Sequence, residues 1–92
     1  MNKPQYFVLY EKDALVTMHS AKIGPFKTLD KAFRKVKNYD DADYDACVVT
    51  LINDEWCRLE VMENELFYKA VEKDSEYWMP LAQNPHRNGT RW

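Results

Sequence analysis

The sequence predicts an α+β domain. It would be an antiparallel sheet of four to five strands with one main helix packed on one face, in the order strand, strand, helix, strand, strand and then a fifth strand. Three observations carry this. Leu29, Ala32, Phe33 and Val36 fall at i, i+3, i+4 and i+7, a helical apolar stripe within Gly24–Tyr39 (GPFKTLDKAFRKVKNY). Several short runs are rich in β-branched and aromatic residues, and Trp56–Met62 alternates with a period of two. A chain of 92 residues, 46% hydrophobic and 14% aromatic, is long enough for one modest core without a metal or a disulfide.

Tyr6–Glu11 (YFVLYE) reads as the first strand, and Lys12-Asp13 as a polar break. Ala14–Ser20 (ALVTMHS) is expected to return as its hairpin partner, with Val16 and Met18 on one side and Leu15, Thr17 and His19 on the other. Gly24-Pro25 marks a turn before the helix, and Phe26 is placed to pack back on its first turns. Thr28 is the N-cap, its hydroxyl accepting from a first-turn amide that has no intrahelical partner. Asp30 suits the positive end of the helix dipole, and Asn38 is a reasonable stop.

Asp40–Asp45 (DDADYD) reads as an acidic loop. An EF-hand needs Gly at the sixth position and Glu at the twelfth; Asp45 and Leu51 stand there, so a solvated loop is the better account. Ala46–Ile52 (ACVVTLI) is the most apolar strand and belongs in the middle of the sheet. After a turn at Asn53-Asp54-Glu55, the strand Trp56–Met62 puts Cys57, Leu59 and Val61 inward and Trp56, Arg58, Glu60 and Met62 outward. A second turn, Glu63-Asn64-Glu65, leads to Leu66–Val71 (LFYKAV). That run is either another strand or the start of a helix reaching Glu76, and its aromatics favour the strand. Tyr77, Trp78, Met79 and Leu81 are expected to pack on the sheet or helix. Residues 1–82 read as one domain and 83–92 as a flexible tail, basic through Arg87 and Arg91.

The net charge of −2 hides a strong polarity. Residues 1–39 carry 8 cations and 3 anions, residues 40–76 carry 3 and 12, and residues 77–92 carry 2 cations alone. Such a molecule suits steered association with a charged partner. Lys27, Lys31, Arg34, Lys35 and Lys37 lie off the apolar stripe, with Lys27, Lys31 and Lys35 spaced by four. They form either an ordinary solvated face or a docking surface for phosphate or for an acidic protein patch. On the second outward strand face, Trp56 and Met62 flank Arg58; Trp56 and Arg58 are residue types that anchor interfaces. The competing reading has this face covered by the C-terminal segment through Trp78 and Leu81.

No GxGxxG, GxxxxGK[ST], HExxH or GxSxG motif occurs. The histidines are His19 and His86, and nothing local supports a nucleophile pair between His19 and Cys47 or Cys57. Neither cysteine belongs to a CxxC pair; buried thiols are favoured, with a cross-hairpin disulfide left open. No catalytic residue, cofactor or metal is therefore assigned, and a non-enzymatic role is expected. The absence of an 18-residue apolar run argues against a membrane span, and the N-terminus lacks a signal-peptide pattern, so a cytoplasmic location is expected. Tyr6, Tyr10, Trp56 and Tyr68 on one open face would offer nucleic-acid bases a stacking surface, although no ribonucleoprotein-type motif accompanies them.

The chain resembles the small single-domain proteins that bacteriophages make to disable host machinery, among them the anti-CRISPR proteins. The resemblance rests on length, on the hairpin YFVLYEKDALVTM, the helix TLDKAFRKVKN, the hairpin ACVVTLINDEWCRLEVM, the charge polarity and the missing active-site motif. Anti-CRISPR families share no common motif, so no functional residue carries over. The resemblance implies stoichiometric inhibition of a host protein or protein–RNA complex: binding to a CRISPR effector and blocking its access to target DNA. Lys27, Lys31, Arg34, Lys35 and Lys37 would then be compatible with guide RNA, and the acidic loop with basic effector surfaces. The alternative is a small nucleic-acid-binding regulator that contacts the phosphate backbone directly through the helix. Oligomeric state is not legible.

Overall fold

A computed structural model describes residues 5–72 and 77–81. The elements are β1 (Tyr6–Lys12), β2 (Ala21–Phe26), α1 (Leu29–Asp41), β3 (Tyr44–Ile52), β4 (Glu55–Met62), β5 (Glu65–Ala70) and β6 (Met79–Pro80). The α+β class and the single helix on one face agree with the expectation. The sheet, however, has six strands among the described residues, ordered β2-β1-β3-β4-β5-β6, with every neighbouring pair antiparallel. The run from Leu66 is strand rather than helix, ending at Ala70, and Met79–Pro80 adds a short edge. The expected tail at 83–92 lies outside the described residues.

The largest correction concerns the second strand. Ala14–Ser20 is not a strand; Ala21–Phe26 pairs with β1 in its place. Gly24-Pro25, expected as a turn, sits inside β2, where the register to β1 shifts between Tyr6 and Val8 and the Gly24–Pro25 peptide is cis. Proline cannot donate to a ladder, but β2 is an edge strand and its missing N–H costs no sheet bond. Asp13, at a φ of 63°, turns the chain out of β1. Residues 14–20 are then tied down by side chains. The Val16 amide donates to Asp45 Oδ2 at 2.8 Å, the Thr17 amide to Ser20 Oγ at 2.9 Å, and Ser20 Oγ to Glu11 Oε2 at 2.7 Å. These bonds satisfy a backbone that has no ladder partner. Alternation of Val16 and Met18 survives in a loop, because both still face the sheet.

Helix α1 begins where expected. Thr28, extended at φ −132° and ψ 154°, caps it through Oγ1, which accepts from the Lys31 amide at 3.2 Å. It runs past Asn38 to Asp41, so Asp40 and Asp41 belong to its last turn rather than to a loop. Asp43 follows in the left-handed region, at φ 67°. β3 and β4, and β4 and β5, are joined by two-residue turns at Asn53-Asp54 and Glu63-Asn64, all four residues at positive φ, as tight hairpins require.

The register sorts side chains onto two faces. On the α1 side, Tyr6, Val8, Val48, Leu59 and Leu66 pack with Leu29 and Ala32 of the helix. Phe33 and Val36 complete the predicted stripe as half-buried neighbours. On the other side, Leu9, Cys47 and Val49 are buried under Val16 of the 14–20 loop, with Phe7, Met18, Trp56 and Val71 around them. β3 is central, as its apolar run foretold, and Val48 and Val49 are sealed on opposite faces. Cys47 and Cys57 are buried and not joined in a disulfide, and they lie on opposite sides of the sheet, Cys57 opposite Thr50 and Cys47 opposite Leu9. A cross-hairpin disulfide is thereby ruled out.

Candidate functional site

The outer side of α1 carries the basic residues. Packing Leu29 and Ala32 inward turns Lys31, Arg34 and Lys37 to solvent, and Lys27 stands exposed just before the cap. Lys35 is half-buried, its Nζ 5.6 Å from the centre of the Tyr39 ring. Among the described residues, none of these five cations reaches a carboxylate.

The opposite pole is built at the far end of the same helix. Asp40 and Asp43, with Asp13 and Asp45 from neighbouring segments, line a shallow depression of about 510 Å³ beside Leu15 and Tyr44. Asp40 and Asp41 sit at the negative end of the helix dipole, where cations are the stabilising choice. Asp45 is occupied by the Val16 amide. Among the described residues, no three His, Cys, Asp or Glu side chains are arranged to hold a metal ion. Next to this pole the Tyr10 and Tyr39 rings stack at 4.3 Å with Tyr44 against both, and Lys12 lies 5.3 Å from the Tyr44 ring centre. Burial and the Tyr10 hydrogen bond raise the Tyr39 phenol above its ordinary pKa.

Trp56 and Arg58 belong to neither place. They project from the sheet face opposite α1, so the seven residues singled out by sequence divide between two sides of the molecule. Trp56 meets Phe7 edge to face at 5.5 Å, and Lys22 Nζ lies 4.1 Å above the Trp56 ring and 5.0 Å from that of Phe7. A row crosses the sheet here: Phe7 pairs with Val49, Val49 with Arg58, and Arg58 with Lys69, whose Nζ lies 4.6 Å over Trp78. The covering role considered for Trp78 and Leu81 therefore splits. Trp78 flanks this face, whereas Leu81 packs into the core on the α1 side.

Sequence reasoning had placed Tyr6, Tyr10, Trp56 and Tyr68 on one face. Tyr6, Tyr10 and Tyr68 are on the α1 side, with Tyr6 sealed in the core, and Trp56 alone is on the other. Phe7, Lys22 and Lys69 were not assigned to the Trp56 face from sequence, whereas Trp78 was considered there as a cover. Phe7 was findable, since it is one residue out of phase with Tyr6; Lys22 was hidden by reading its strand as a loop lead-in.

The thiol chemistry is quiet. Burial pushes the Cys47 thiol up to about 11, against the pull of the Arg58 guanidinium, so at neutral pH it is protonated and a poor nucleophile. His19 is exposed in the 14–20 loop, its amide donating to Thr17 Oγ1.

No family model matches the chain, and comparisons with curated proteins and with solved structures likewise find no match.

Proposed function

We propose that the chain is a non-enzymatic inhibitor that acts by stoichiometric binding to a nucleoprotein complex, with the exposed basic side of α1 as its docking surface. A CRISPR effector with its guide RNA is the partner class that the reading favours. The observation that carries it is the arrangement of Lys31, Arg34 and Lys37, three solvent-facing cations on one helix, with Lys27 exposed just before its cap and no carboxylate in reach of any of them among the described residues. Arginine and lysine so placed are available for phosphate contacts without first breaking internal ion pairs. The acidic pole beyond Asp40 supplies the complementary sign for a basic protein surface beside the RNA, and opposite poles on one domain fix orientation as well as attraction.

The test is a titration of an effector complex loaded with guide RNA, followed by its binding of target DNA. The reading expects inhibition that saturates at a fixed ratio of inhibitor to complex and relief of inhibition by Lys31→Glu, Arg34→Glu and Lys35→Glu together. No inhibition at excess sinks the partner class. Inhibition untouched by the triple reversal sinks the helix surface. Equal affinity for bare RNA or DNA, falling steeply with salt and abolished by the same triple reversal, would instead establish the regulator that binds nucleic acid through the helix.

A further inference from the structure

We propose that the sheet face opposite α1 is a second binding surface, for a short stretch of single-stranded nucleic acid. It is separate from the helix surface and does not depend on it. Six side chains form it: Phe7, Lys22, Trp56, Arg58, Lys69 and Trp78.

Two observations point to an anionic, aromatic ligand. The first is the charge arrangement. Arg58 and Lys69 are direct cross-strand partners on β4 and β5. Like charges opposite each other destabilise a sheet, and among the described residues neither is within reach of a carboxylate for an ion pair. Lys22 adds a third cation at Trp56 on the same face. The carboxylates on this side are set apart from them: Glu11 and Asp45 are paired with each other in register at the other end, and each is already accepting a hydrogen bond from the 14–20 segment. Glu60 and Glu65 are the exceptions: the register puts both on this face, toward the β4–β5 turn from Arg58 and Lys69, where they moderate the local potential.

The second observation is the interleaving of rings with those cations. Lys22 sits over Trp56 and Phe7, and Lys69 over Trp78. Rings interleaved with cations are the combination by which single-stranded nucleic acid is held, bases stacking on the rings and phosphates meeting the cations. A base entering at Trp56 takes the place of the Lys22 ammonium over the indole, and that ammonium turns to the adjoining phosphate. The rings belong to strands from β1 to the β6 edge, a span of roughly 19 Å at about 4.8 Å per strand spacing. Sheet faces of this kind stack about two or three bases. Stacking is tolerant of sequence, so the surface discriminates single strands from duplex rather than one base from another. A duplex offers no unstacked base to the rings.

A direct test is fluorescence titration of the full chain with an oligouridine of eight nucleotides and with a duplex RNA of equal length, at low and moderate salt. Tryptophan emission is expected to be quenched by the single strand, with the logarithm of affinity falling against that of salt at a slope of about −2, as three phosphate contacts imply. The charge-neutral variant Arg58→Gln/Lys69→Gln should weaken binding at least tenfold and make the slope shallower. The triple reversal of Lys31, Arg34 and Lys35 should leave single-strand binding within threefold. Circular dichroism melts confirm that each variant is folded, and Lys69→Gln alone serves should the double variant melt early. Absence of quenching at low salt overturns the proposal. So does preference for duplex, or binding that survives loss of Arg58 and Lys69 but vanishes with the helix reversal. Because free oligonucleotide is the probe, failure here leaves the inhibitor reading intact, and success stands even when no effector complex is inhibited.

Discussion

Lys22 holds its ammonium 4.1 Å above the Trp56 ring, joining edge strand β2 to β4 across the two strands between them. Contacts within a ladder link neighbours only; this one spans the half of the sheet opposite α1. An exposed cation–π contact is worth about 0.5–1 kcal/mol. Lys22→Met should lower unfolding stability by that amount in urea titration and shift tryptophan emission in the folded state. Lys22→Arg should restore most of the loss. A methionine variant as stable as the parent would show that the ammonium is not held there.

Gly24 tests where β2 lies. Its φ is +135°, and a Cβ built on it comes within 2.8 Å of the Phe7 Cδ2 and 3.0 Å of the Tyr6 carbonyl oxygen. Neither the backbone angle nor the space admits a side chain. Gly24→Ala should therefore cost roughly 1–3 kcal/mol by denaturant unfolding. Had the hairpin expected over Ala14–Ser20 been the real partner of β1, Gly24 would lie in an open turn and alanine would be nearly silent.

That contrast shows what the sequence could and could not convey. The helix was legible because its signal is local: a capping threonine, a four-point apolar stripe and an acidic first turn all agree. The β3–β4–β5 meander was legible for the same reason, through alternation and short polar turns. The choice between two candidate partners for β1 is not local. It was decided by Asp45, 29 residues beyond Val16, and by Glu11 with Ser20, whose side chains hold the 14–20 segment as a loop. Of the candidate site, the placement of Lys31, Arg34 and Lys37 on the solvent side of the helix was legible, because it follows from the periodicity of one element, whereas Lys27 falls before the cap and Lys35 is half-buried. The second face was half legible, because Trp56 and Arg58 share a strand while Lys22, Lys69 and Trp78 are brought to them only by the strand order.

The β4–β5 turn offers a gain in stability. Glu63 and Asn64 sit at φ 54° and 66°, and glutamate is poorly suited to that region whereas Asn-Gly is the favoured pair. Replacing Glu63→Asn and Asn64→Gly should raise stability by about 0.5–1 kcal/mol without moving either strand. Urea midpoints report the gain, and unchanged far-ultraviolet circular dichroism reports the fold. A loss would mean that Glu63 makes a contact that outweighs its strained backbone.

Alkaline pH should destabilise the fold in two steps. Burial raises Cys47 from 9.0 to about 11 and Tyr6 from 10.0 to about 12. In both cases the folded pKa lies above the unfolded one, so the unfolded chain releases its proton first. The stability associated with each group is fully present below its unfolded pKa and is lost as pH rises through the folded value. The urea midpoint should fall from about pH 9 onward through Cys47, with Tyr6 adding to the slope between pH 10 and 12. Cys47→Ala should flatten the pH 9–11 limb whatever it does to stability at pH 7. An unchanged limb would place the titration elsewhere.

Charge reversal on α1 should separate folding from binding. Lys31 and Arg34 face solvent without carboxylate partners among the described residues, and Lys35 has only the Tyr39 ring beneath it. Exposed positions of this kind change stability by roughly ±0.5 kcal/mol when substituted. Glutamate at position 31, in the first turn, is moreover favoured by the dipole, which offsets part of the loss of the Lys35–Tyr39 contact. Lys31→Glu/Arg34→Glu/Lys35→Glu should consequently unfold within about 1 kcal/mol of the parent. It should nonetheless lose most of its affinity for a nucleoprotein partner, measured side by side with the parent at the same salt. A destabilised triple variant would mean that these cations support the fold. A stable variant that still binds would return the face to the role of ordinary solvated surface.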